Sequence, residues 1–183
     1  MRYAFRICSC LVLLAAAAVP VDAQSSKPVT LTALDYIEIE QLVAKYSRAL
    51  DTCANNGYDY ADLFTPDGVF AATIGGKPGP RFEGRERLAE ASGGGKLGCK
   101  NVGWIQQGVR HLYPNHVITP TPTGAVGVVD MLMIGLGGDP SKIEYDGYYD
   151  DVYVKTPQGW RFKSRLHHAT LSEGRRPEPA PTK

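Results

Sequence analysis

The sequence predicts an α+β fold in which a curved antiparallel sheet packs against helices that precede it. Two observations carry this. Tyr36, Ile39, Val43, Tyr46 and Leu50 recur at three- and four-residue spacing, one buried stripe of an amphipathic helix. The second half then reads as four long alternating segments, 109–119, 125–134, 143–155 and 159–171, separated by Pro- and Gly-containing turns. Strands with short connections make an antiparallel meander, and helices gathered ahead of them cover one face of the sheet.

The amino-terminal segment stands apart from that fold. Arg2 and Arg6 make a basic start, residues 7–19 are an apolar run, and Val21-Asp22-Ala23 is a small-x-small cleavage site. Residues 1–23 therefore read as a secretory signal peptide; the run is too short and wrongly flanked for a membrane span. The expected compartment is periplasmic or secreted. Of the 183 residues, cleavage after Ala23 leaves 160, with 18 basic and 18 acidic side chains. That length supports one domain with one core. A neutral balance without a basic run argues against nucleic acid as a partner, and no second apolar stretch is long enough for stable membrane insertion.

Residues 24–30 form a polar leader. Thr32-Ala33-Leu34-Asp35 is a capping box that opens the first helix. A short helical turn is expected at 58–64, sheet from Val69, and a turn or flexible loop at 75–80. A second helix follows at 85–92, closed by Gly93-Gly94-Gly95. Those glycines follow a helix instead of leading into one and lack the Lys-Ser/Thr pair of a phosphate loop. Residues 172–183, rich in proline, are an expected disordered tail. Cys53 and Cys99 are the two cysteines left after cleavage, and a disulfide between them is the expected use in an exported chain.

Strand parity sorts the polar candidates. His111, Tyr113, Asn115 and Val117 share one face; Leu112, His116 and Ile118 share the other. Asp130 lies among Val126, Val128, Leu132 and Ile134, where a carboxylate is costly unless paired, so it is a candidate pocket residue. Parity decides nothing for 143–155. In the last strand, Trp160, Phe162, Ser164, Leu166 and His168 form the apolar face. Arg165 and His167 then point outward, and only a bulge would turn Arg165 inward as a clamp for a carboxylate or carbonyl. Adjacent His167 and His168 point to opposite faces, no Cys/His cluster has zinc spacing, and no Gly-x-Ser-x-Gly elbow is present. No metal and no cofactor is expected.

Taken in order, Tyr46 with Asp51, then Ala61-Asp62-Leu63-Phe64-Thr65-Pro66-Asp67-Gly68-Val69-Phe70, Phe82-Glu83-Gly84-Arg85-Glu86, His111-Leu112-Tyr113-Pro114-Asn115 and Gly159-Trp160-Arg161-Phe162 resemble the SnoaL-like domain. This is a member of the nuclear transport factor 2-like superfamily, and the likeness spans the domain expected at 31–171. The resemblance implies a cone-shaped, cystatin-like α+β roll and a pocket for a small hydrophobic organic molecule. It is nearest to dehydratases of the scytalone and bile-acid type. It places catalytic roles on Tyr46, Asp51, His111 and Asp130, and it implies a homodimer. Trp104, read as an apolar cover on a lid at 93–104 whose alternative is a plain connecting loop, joins Asn115 and Arg165 as the expected substrate-binding residues. The expected activity is a cofactor-free lyase or isomerase acting on a cyclic or polyketide-like carbonyl compound. A non-catalytic ligand-binding module on the same fold is the alternative.

Overall fold

The computed structural model describes residues 27–100, 108–135 and 143–170. The expected signal peptide, Trp104 and the Pro-rich tail lie outside these.

The chain begins with α1, Ala33–Thr52, opened by the capping box that the sequence predicts: Thr32 Oγ1 accepts from the Asp35 amide and the Asp35 carboxylate accepts from Thr32 N–H. Its buried face carries Ile39, Leu42, Val43, Tyr46, Ala49 and Leu50. Tyr36, placed on that stripe from the sequence, is instead 37% exposed. The helix stops at Cys53, which takes the left-handed conformation (φ 48°) and is bridged to Cys99. A short turn at Ala54–Gly57, with Asn55 and Asn56 in the left-handed region, leads to α2, Tyr58–Ala61. Strands β1 (Phe64–Ile74) and β2 (Lys77–Glu83) form a hairpin, so the loop expected at 75–80 is a Gly75-Gly76 turn followed by a strand. α3, Arg85–Ala91, follows.

The expected strand at 109–119 is two strands, β3 (Arg110–Leu112) and β4 (Val117–Thr121), both paired antiparallel to β5 (Gly124–Ile134). β6 (Ile143–Thr156) and β7 (Gly159–Thr170) complete a curved seven-stranded sheet of order β2-β1-β7-β6-β5-β3, with β4 also on β5. All pairings are antiparallel except β1 with β7, which is parallel. The concave face closes over α1: Tyr46, Tyr60, Phe64, Tyr153, Trp160 and Phe162 form its core, each no more than 4% exposed.

Two one-residue bulges decide which side chains enter that core. Leu112 pairs with Leu132 and Val117 with Val128, so the β3–β4 side takes one more residue than β5 between the two pairs. Asn115, in the left-handed region at φ 57°, lies in that bulge. In β7, Phe162 pairs with Tyr153 and Ser164 with Val152, so Lys163 is extra. A single extra residue reverses the facing of everything after it. Beyond Lys163 the buried residues are Arg165, His167 and Ala169, where strict alternation predicts Leu166 and His168.

Candidate functional site

The carboxyl-terminal turn of α1 presents Asp51 to β3, and the two elements are tied at one residue. Ser47 donates to the His111 carbonyl at 2.6 Å. The Asp51 carboxylate accepts from the His111 amide at 3.2 and 3.3 Å and lies 2.5 Å from His111 Nδ1. An ionised carboxylate can only accept, so the proton in this contact sits on Nδ1 and the lone pair of a neutral ring is on Nε2. Both side chains are almost buried, at 9% and 4% exposure. The helix therefore fixes the ring's position, orientation and tautomer together.

Deeper in the same interior is Tyr46. Its ring lies 5.6 Å from Tyr113, the next inward residue of the His111 strand face. Tyr60 donates to the Tyr46 hydroxyl at 3.2 Å, leaving the Tyr46 proton for another acceptor. Burial pushes both phenols well above their ordinary range, so they remain donors at neutral pH.

Arg165 is fully buried in this interior. Its guanidinium carbon lies 4.0 Å from the ring centres of Tyr46 and Tyr149, 4.7 Å from Phe162 and 4.9 Å from Tyr113. Aromatic faces are favourable for a cation, although they accept none of its protons in hydrogen-bond geometry. Asp151 Oδ1 lies 3.5 Å from Nε, and among the described residues none of the three guanidinium nitrogens has a hydrogen-bond acceptor. A buried cation with vacant donors is strongly disposed toward an oxygen anion.

His167 also enters the interior, stacked on Tyr149 with ring centres 4.6 Å apart. Gly147 gives it room: a Cβ there would come within 2.9 Å of His167 Nε2. Burial, reinforced by the charge of Arg165, pushes its pKa down to about 4. Strict alternation places His167 in water, and the extra residue at Lys163 turns it inward.

Two expected site residues are elsewhere. Asp130 faces outward with Val126 and Val128, which are 38% and 47% exposed, and accepts from Asn115 Nδ2 at 2.9 Å. Asn115 is itself exposed. The bulge at Asn115 ends the parity that would have kept it beside His111, and Asp130 sits out of phase with the inward Val129 and Met131. The fold brings neither into the interior that holds His111. Trp104 lies outside the described residues. Tyr46, Asp51, His111 and Arg165 share one interior, joined there by Tyr60, Tyr113, Tyr149 and His167. Among the described residues, no group of three or more His, Cys, Asp or Glu side chains could hold a metal ion.

A groove of about 820 Å³ runs along the opposite side of α1, lined by residues that include Gln41, Lys45, Arg48, Trp160 and Arg161. It contains none of the side chains just described.

Comparison with known proteins agrees with this architecture. Uncharacterized protein Rv2910c of Mycobacterium tuberculosis is 27% identical over 135 residues, covering 72% of this chain and 83% of its own length. A Nostoc punctiforme protein of unknown function with a cystatin-like fold superposes with a TM-score of 0.61, at 22% identity over 79% of this chain and 97% of that one. A Novosphingobium aromaticivorans protein provisionally assigned as a scytalone dehydratase superposes with a TM-score of 0.55, at 24% identity over 75% and 85%. Identities at this level speak for the fold alone. The SnoaL-like domain matches residues 32–166, and the chain belongs to that family.

Proposed function

We propose that the protein is a cofactor-free lyase or isomerase of the dehydratase type, acting on a small cyclic or polyketide-like carbonyl compound. The observation that carries this is the Asp51–His111 contact at 2.5 Å, which leaves Nε2 as a base supported by a buried carboxylate. His111 removes the proton α to the carbonyl. The enolate oxygen is held by the Tyr46 hydroxyl and the Arg165 guanidinium, both fixed before the substrate arrives. The protonated His111, steadied by Asp51, then returns its proton to the departing β-hydroxyl. Water elimination and double-bond isomerisation both pass through this enolate. His167, uncharged at neutral pH, does not compete with Arg165 for the anion.

The test is a screen of the purified protein, beginning at Gln24, against a broad panel of β-hydroxy carbonyl compounds. Elimination or isomerisation that disappears in His111→Ala is the expected result. Full activity in His111→Ala contradicts the mechanism. Binding without turnover across the panel favours the alternative, a ligand-binding module.

We further propose that the chain is exported and acts as a homodimer. The basic start, apolar run and Ala23 site support export, and the Cys53–Cys99 bridge suits an oxidising compartment. Retention of the whole chain inside the cell contradicts export, and a secreted product that still begins at Met1 contradicts cleavage after Ala23. Val117, Val126, Val128 and Val152 are exposed together on paired positions of the outer sheet face, an apolar surface suited to a second copy. A monomer in sedimentation at micromolar concentration contradicts the dimer.

A further inference from the structure

A second polar chain runs from the surface of α1 to the back of Arg165, through side chains that take no part in the reaction above. Glu40 Oε1 lies 3.1 Å from His116 Nδ1, with Glu40 half exposed and His116 only 3% exposed. His116 Nε2 is 3.0 Å from the Tyr153 hydroxyl, which donates to Asp151 Oδ2 at 2.7 Å. Asp151 Oδ1 then faces Arg165 Nε at 3.5 Å. Gly127 leaves space for the joint, since a Cβ there would come within 2.8 Å of His116 Nε2 and 3.0 Å of the Tyr153 oxygen.

Counting protons along this chain gives two arrangements. Tyr153 has one proton to donate. When it goes to an ionised Asp151, the Tyr153 oxygen must accept, so His116 Nε2 carries a proton. Nδ1 lies 3.1 Å from the Glu40 carboxylate, outside hydrogen-bond geometry but close enough for that charge to favour a proton on the ring there as well. His116 is then an imidazolium between two carboxylates. In the other arrangement the Nε2 proton passes to Tyr153 while the Tyr153 proton passes to Asp151. The Nε2–H bond and the original Tyr153 O–H bond break, and a new Tyr153 O–H and an Asp151 O–H form. His116 and Asp151 end neutral, Tyr153 is unchanged, and nothing else is consumed. Burial raises the Asp151 carboxyl above its ordinary range, which favours protonation there; Arg165 and the Tyr153 hydrogen bond oppose it.

We propose that His116 and Asp151 share one proton through Tyr153, with the Glu40 carboxylate supporting the charged ring, and that the proton's position sets the charge beside Arg165. With the proton on His116, Asp151 neutralises the guanidinium. With the proton on Asp151, Arg165 is an uncompensated cation and takes a carboxylate or enolate oxygen. This last consequence rests on the reading that Arg165 faces the substrate; the sharing of the proton does not. Asp151 and His116 are thus positioning residues acting through Arg165.

Glu40 from α1 and Tyr153 with Asp151 from β6 are the titratable groups facing His116, and they define the variants. The full chain, labelled with ¹⁵N-histidine, is titrated by NMR, with the His116 ring signals assigned by their loss in His116→Gln. The His116 midpoint is expected to fall by about one pH unit or more in Tyr153→Phe and in Asp151→Asn, and to fall in Glu40→Gln. Glu40 is exposed enough for Glu40→Gln to fold even where a buried substitution does not. An unchanged midpoint in folded Tyr153→Phe and Glu40→Gln overturns the proposal. The measurement needs no substrate, so a failure to find turnover and a failure of proton sharing are separate results.

Discussion

The two ends of α1 each bury an aspartate, and the two carboxylates do different work. Asp35 accepts from the Thr32 amide and hydroxyl at 2.8 and 2.7 Å, from Trp160 Nε1 at 3.0 Å and from Lys155 Nζ at 2.6 Å. Lys155 first, then Thr32 and Trp160, hold its carboxyl far below the usual carboxylate range. Asp51 is bonded to one residue, through the His111 amide and ring. An ammonium, an indole and an amide keep their protons at neutral pH, whereas an imidazole exchanges its proton there. A buried carboxylate at a helix end is therefore no sign of chemistry by itself; the acidity of its partner makes the distinction.

The sharpest way to break this comparison is to neutralise each carboxylate without changing its shape. Asp51→Asn should reduce kcat by about 10³–10⁴-fold, the scale seen when the carboxylate behind a catalytic histidine is lost. Asp35→Asn should leave turnover intact. Steady-state rates on whichever panel compound is turned over decide this, and equal losses at both ends would erase the distinction. Tyr46→Phe falls between, at roughly 10–10³-fold for one oxyanion donor among two.

The fold and half of the proposed site are legible in the sequence for a common reason: both depend on local pattern. The capping box, the helix stripe with Tyr46, the cysteine pair and the alternation of 125–134 all show in short windows. Asp51 and His111 were reachable through family likeness. What failed was phase. Asn115 and Lys163 are ordinary residues, and nothing in their neighbours announces an extra position in the ladder. Each is nevertheless enough to remove Asn115 from the site or to bring Arg165 and His167 into it. Asp151 and Tyr153 were unreadable because both faces of β6 carry mixed side chains. Ser47 gave no signal, since its partner is a backbone carbonyl.

Each end of α1 is also pinned differently. At the Asp35 end the capping box and Lys155 suffice; at the Asp51 end the helix halts at Cys53 and is held by the bridge to Cys99 across a sequence separation of 46. Replacing both cysteines with alanine should cost about 4 kcal/mol on the chain-entropy account of such a loop. Turnover should fall as well, because Asp51 loses its fixed approach to His111. Urea unfolding paired with rate measurements checks both, and a variant as stable and as active as the parent would show that the bridge is dispensable.

Next in size is an acid limb of stability belonging to the site. His167 has a folded pKa of about 4 against 6.5 for an ordinary histidine. Between those values the unfolded chain binds a proton that the folded chain refuses, so stability falls as pH drops from 6.5 toward 4. Above 6.5 both states are neutral and the contribution is constant. The full loss is roughly 3 kcal/mol at 1.36 kcal/mol per unit. Urea midpoints in wild type and His167→Gln should diverge across this window, with the variant flatter. Parallel curves would place His167 in water after all.

The smallest effect should come from the Asp35 end, and it should appear in a different pH window. The Asp35 pKa is depressed, so its charge stabilises the fold fully above the ordinary value near 3.8 and is lost only as pH falls below that, through the folded value. By then the His167 contribution is already gone. Lys155 is 54% exposed, so water and salt weaken its hold on Asp35. Comparing wild type with Asp35→Asn, the difference in urea midpoint should be constant from neutral pH to about pH 5, shrink below about pH 4, and narrow further in high salt. A difference that persists unchanged into strong acid would mean that Asp35 acts through hydrogen bonds its amide replacement cannot reproduce, and not through charge. The two ends of the helix would still differ, but by the geometry of their donors and no longer by the window in which each carboxylate or ring meets its proton.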